Sequence, residues 1–172
     1  QLVGMIHQQF DLVPNLSVLH NVLAGRLGEW SLWNSLISLV SPRERHRALE
    51  ALDRVGISDK ANQRTSRLSG GEQQRVALAR LLVQNPRTIL ADEPVSSVDP
   101  ARAKDLIELL VYVAREGDRT LVASLHSVPL ALRYFSRVLA LREGQLVFDL
   151  SAENVSSEDL EALYLLSDDG SD

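Results

Sequence analysis

Thr88-Ile89-Leu90-Ala91-Asp92-Glu93-Pro94 is a short apolar run stopped by two carboxylates and a proline. A run of this length and character suits a strand buried on both faces. Its two acids then stand at the C-terminal edge, where α/β sheets bind their ligands. Adjacent carboxylates can divide labour: Asp92 can hold a hydrated magnesium ion, while Glu93 orients or deprotonates a water that attacks a phosphate. A solvated Asp-Glu pair at a strand end is the plainer reading, and the flanking sequence decides between the two.

Upstream stands Leu68-Ser69-Gly70-Gly71-Glu72-Gln73-Gln74-Arg75, followed by the helical run Val76 to Val83 and a stop near Pro86. Ser69 and Glu72 have capping-box spacing, and two glycines let the amides of the first helical turn approach a ligand closely. A helix start of this kind attracts anions through its dipole and its free donors. An ordinary capped helix accounts for Ser69 and Glu72. It does not account for adjacent glycines, each of which costs about 1 kcal/mol of helix propensity.

Downstream, helical patterns at Ala101 to Arg115 and Ser127 to Phe135 alternate with apolar runs at Thr120 to Leu125 and Arg137 to Leu141, which predicts parallel strands covered on both faces. Glu143-Gly144 should turn the chain into Leu146 to Phe148 as a hairpin, and a helix over about Glu158 to Leu166 should precede a disordered acidic tail, Asp168 to Asp172. Nearer the start, Ser17 is placed to cap a helix carrying Val18, Leu19, Val22 and Leu23. Ser41-Pro42-Arg43-Glu44 should cap a second, running to about Val55 and stopping at Gly56. The chain opens on Gln1-Leu2-Val3-Gly4-Met5-Ile6, which reads as a strand already in progress, so a preceding portion is expected. The organisation is then residues 1–11, the end of an N-terminal subdomain strand and a glutamine loop; 12–86, a helical subdomain; 87–150, an α/β core; and 151–172, a C-terminal helix and tail.

Bulk composition narrows the function. A net charge of −5 with both signs mixed along 172 residues argues against a general attraction to nucleic acid. The absence of cysteine excludes disulfides, thiolate zinc sites and cysteine nucleophiles. Trp30 to Val40, the longest apolar stretch, is about half of what a spanning helix needs.

Order and spacing together resemble an ATP-binding cassette ATPase from its glutamine loop to its C-terminus. Leu68 to Gln73 is similar to the family's signature, Leu90 to Glu93 to the end of its Walker B strand, Ser96-Ser97-Val98-Asp99 to its D-loop, and His126 to its switch histidine. Ile6-His7-Gln8 resembles the start of the glutamine loop, with Gln8 as its glutamine and Gln9 the neighbouring alternative. The resemblance implies the C-terminal part of a P-loop NTPase domain that takes ATP and Mg2+. Glu93 and His126 would be catalytic; Gln8, Ser69, Gly70, Gly71, Glu72 and Asp99 would contact nucleotide; and Asp92 with Gln8 would contact the metal. Asp99 before Pro100 also has the spacing of an ordinary helix cap.

Asn21-Val22-Leu23-Ala24-Gly25-Arg26-Leu27-Gly28, Trp33 with Leu36, Glu50 to Gly56 and Ser124-Leu125-His126 further resemble the phosphonate-import ATP-binding subunits. That resemblance implies an importer ATPase on the cytoplasmic face of the inner membrane, paired as a homodimer. It would dock on membrane permease subunits and serve a periplasmic solute-binding protein indirectly. A subunit for another solute and a non-catalytic docking module are the alternatives. The departure is the phosphate-binding pattern: Lys60 and Lys104 are the only lysines and neither follows a glycine. Catalysis is therefore expected of an intact subunit, and the chain alone is expected to be inactive.

Overall fold

The computed structural model describes residues 2–7, 10–31, 33, 37–38, 42, 44–96 and 99–164. Expectations that fall on Gln8, Gln9, Ser41, Ser97, Val98 and the acidic tail lie outside the described residues, as does most of Trp30 to Val40. The chain forms two compact units, residues 1–124 and 125–172.

In the first unit a parallel sheet orders its strands β1 (Val3–Ile6), β2 (Thr88–Asp92) and β3 (Thr120–Ser124). Strand register puts Gly4, Ile89 and Leu121 on one row, and Ile6, Ala91 and Ala123 on another of the same face. That face receives helix α3 (Gly70–Gln84), so closely that a side chain at Gly4 would stand 2.4 Å from Leu81 Cδ1. Coverage on both faces was expected. Instead Val3, Met5 and Val122, on the opposite face, are each about half exposed.

Helix α3 is also the hub for the helical residues before it. Helix α1 (Val18–Leu23) is capped by Ser17, whose hydroxyl accepts the His20 N–H, and a 3-10 turn, Ala24–Arg26, continues it. Gly25 in that turn sits where any Cβ would lie 2.4 Å from the Arg80 carbonyl oxygen, so only glycine lets it rest against α3. The interface is filled by Val18, Leu19, Val22, Leu52, Val76 and Leu78, all at most 1% exposed. Beneath it, buried Asn21 accepts the Val13 N–H at 2.8 Å and donates to the Val13 and Ser17 carbonyls, pinning the loop that follows β1.

Helix α2 (Arg45–Arg54) starts later than its sequence predicts. Pro42 is not helical, and the cap is Glu44, left-handed at φ 57 and without a capping side-chain bond. Its carboxylate turns away to accept from Arg26 Nε at 3.1 Å. Gly56, with φ 69, ends the segment as expected. After α3, Asn85 takes the left-handed C-cap at φ 50. Helix α4 (Pro100–Glu116) buries Ile107, Leu110 and Val113.

The second unit holds helix α5 (Val128–Tyr134), strands β4 (Arg137–Arg142) and β5 (Gln145–Ser151), and helix α6 (Ser157–Tyr164). Among the described residues β4 pairs with β5 alone, antiparallel, which corrects the expectation of a further parallel strand. Glu143 and Gly144 both have positive φ, 48 and 76, the conformation that folds a two-residue hairpin back on itself. No helix among the described residues is long and apolar enough to cross a membrane.

Candidate functional site

Strand β2 delivers its acids to the sheet's C-terminal edge because its side chains alternate: Ile89 and Ala91 point into the core, and Asp92 emerges into solvent as the strand ends. Glu93 follows at φ 44, in the left-handed region that costs a non-glycine residue about 1 kcal/mol or more. Both sides of this residue are held. Its N–H donates to Ser124 Oγ at 2.8 Å, and its carbonyl accepts from Ser96 Oγ at 3.1 Å. Ser124, the residue in register with Asp92, also donates through Oγ to Asp92 Oδ1 at 2.8 Å.

The start of α3 forms the expected box. Ser69 N–H and Oγ–H both donate to Glu72 Oε2, at 2.7 and 2.8 Å, and Glu72 N–H returns to Ser69 Oγ at 3.4 Å. The Ser69 amide, then its hydroxyl, holds the Glu72 carboxyl below its ordinary pKa, and Lys60 at 4.0 Å adds to this. A Cβ built on Gly70 or Gly71 would meet nothing within 4 Å, and neither has positive φ. Nothing among the described residues therefore requires glycine at these positions. What two glycines provide is open access to the first-turn amides.

Asp99 is the N-cap of α4, accepting the Arg102 N–H at 3.1 Å and pairing with Arg102 Nε at 3.2 Å. A cavity of about 300 Å³ joins the two helix starts, lined by Ser69, Gly71 and Glu72 on one side and Arg102 and Asp105 on the other. His126 is exposed and belongs to the second unit, two residues beyond Ser124. β1 ends at Ile6, opposite Ala91, just before the undescribed Gln8.

Among the described residues no group of three or more His, Asp, Cys or Glu side chains could hold a metal. A solvent-facing carboxylate at Asp92 fits magnesium nonetheless, since that ion keeps several waters and takes one or two carboxylates together with substrate phosphates.

A model of the ABC transporter family matches residues 1–96. The chain belongs to the ABC transporter family. It is 47% identical over 162 residues to the phosphonates import ATP-binding protein PhnC 1 of Nostoc sp. strain PCC 7120, covering 94% of this chain and 61% of that protein. To PhnC 1 of Pseudomonas aeruginosa strain PAO1 it is 50% identical with the same coverage. The chain thus spans 61% of the length of each of these two relatives. Among solved structures, a metal-chelate type ABC transporter in an inward-facing conformation superposes with a TM-score of 0.83 at 27% identity, covering 96% of this chain and 64% of that one. The ABC cassette MJ0796, in a dimeric post-hydrolysis state bound to ADP and Pi, gives 0.70 at 31%, covering 88% and 63%.

Two contacts of this ABC chain escaped the motif reading. Arg80 of α3 donates to the Phe10 and Asp11 carbonyls at 2.7 and 2.8 Å, tying that helix to the turn after β1. The other is Ser124, whose signal was a hydroxyl following the apolar Leu121 to Ala123 in the strand that pairs with the acid-bearing one.

Proposed function

We propose that this chain is the signature-bearing, water-activating part of an ATP-hydrolysing subunit that powers uptake of a phosphonate or related oxyanion. The observation that carries the reading is the edge of β2, where Asp92 is oriented by Ser124 and Glu93 is held on both sides of its backbone. The phosphonate assignment is supported by identity near 50% to PhnC proteins.

In this reading Glu93 accepts the proton of a water attacking the γ-phosphate, and His126 contacts that phosphate. Asp92, with Gln8, would hold magnesium, which when bound neutralises charge on the phosphates. Gly70 and Gly71 offer amides, and Ser69 a hydroxyl, to a nucleotide whose phosphate loop belongs to the other subunit of a dimer; this chain has no Gly-Lys pair of its own. Glu72 would support that contact by holding Ser69 in place, and Asp99 would sit beside the shared nucleotide. The dimer would dock on membrane permease subunits at the cytoplasmic face.

Replacing His126 by Ala in the complete subunit should lower kcat about 10²-fold while ATP affinity changes little, because the contact matters mainly as charge builds on the γ-phosphate. Equal losses of ATP and ADP binding, measured by calorimetry, would place His126 elsewhere. For the solute, cells that depend on a phosphonate for phosphorus should stop growing when this subunit is deleted and recover on complementation. Undiminished phosphonate uptake in the deletion strain would redirect the assignment to another solute.

A further inference from the structure

A serine hydroxyl has one proton to give and lone pairs to receive. At Ser124 both capacities are spent on the two acid-bearing residues: the proton goes to Asp92 Oδ1, and a lone pair takes the Glu93 N–H, each at 2.8 Å. Parallel register places Ser124 directly across from Asp92, so the bridge needs no adjustment of either strand. Glu93 is in the unfavourable left-handed region and depends on its neighbours to stay there. Ser96 holds its carbonyl, and Ser124 holds its N–H. Without the hydroxyl, the Asp92 carboxylate is free to rotate and one side of the Glu93 backbone is released.

We propose that Ser124 is a positioning residue for hydrolysis, fixing the Asp92 side chain and the Glu93 backbone so that the Glu93 carboxylate meets its water in one orientation. The proposal rests on the reading of Glu93 as the proton acceptor. Ser124 is exposed, where a hydrogen bond exchanges readily with water and adds little to stability. Its loss should therefore appear in rate rather than in folding.

The test compares Ser124→Ala, Ser124→Val and Ser124→Thr in the complete subunit. Ala and Val should each lower kcat about tenfold, with KM for ATP within about twofold and melting temperatures close to the parent's, as expected for one lost hydrogen bond. Thr, which keeps the hydroxyl and matches Val in shape, should recover most of the rate. Hydrogen exchange of the Glu93 amide, followed by NMR, should quicken in Ala and Val and stay slow in Thr. Parent kcat in Ser124→Ala, a loss in Thr as large as in Val, or unchanged amide exchange overturns the proposal. Glu93→Gln, assayed alongside, separates the underlying reading. Parent turnover in that variant removes Glu93 as the base and this proposal with it, whereas its inactivity beside a fully active Ser124→Ala overturns the role of Ser124 alone.

Discussion

Glu93→Gln in the complete subunit is expected to bind ATP and hydrolyse it about 10³-fold more slowly, the loss typical of removing a general base. The amide can still hold a water, since its single oxygen accepts a hydrogen bond, but it cannot take the proton. Fold should not change: the bonds to Glu93 from Ser124 and Ser96 involve its backbone, and glutamine presents the same backbone. Single-turnover measurement of phosphate release with saturating nucleotide isolates the chemical step. Release at the parent rate would remove Glu93 from the chemistry. A parallel loss of nucleotide binding would mean that its carboxylate holds the ligand rather than the water.

Gly71→Asp is expected to abolish ATP-driven dimerisation, weakening it by about 10²-fold or more, while leaving the subunit folded. The two halves of this expectation come from different observations. Folding survives because a Cβ at Gly71 meets nothing within 4 Å and its backbone is in an ordinary helical conformation. An aspartate in a first helical turn even complements the helix dipole. Association fails because the same open space is where a γ-phosphate would approach, and a carboxylate there sets like charges face to face, a cost of several kcal/mol. Gly71→Ala separates charge from bulk and should lose much less. Sedimentation with ATP in a hydrolysis-deficient background checks both variants. Parent-like dimerisation of Gly71→Asp would show that this helix start faces no phosphate.

Where three or four consecutive residues hold all the partners, the sequence by itself determined the outcome. Ser69 with Glu72, Asp99 with Arg102, Ser17 with His20, and the Glu143-Gly144 turn each close through contacts at most three positions apart, so spacing sufficed to read them. The family was legible for the same reason, because its motifs are short and ordered along the chain. Only the tertiary structure decided the rest. Glu44 has capping-box spacing from Ser41, yet its carboxylate bonds to Arg26, eighteen residues away, and α2 starts at Arg45 instead. Arg137 to Leu141 has the apolar character of a core strand, but the following turn gave it to β5. At Gly25 the Arg80 carbonyl on a distant helix is what excludes a side chain. Ser124 reads as one residue of the Thr120 to Leu125 run, and only register sets it across from Asp92, thirty-two residues away. Bonds between neighbours in sequence depend on local dihedrals alone, while these contacts exist only once packing has fixed where each strand and helix lies.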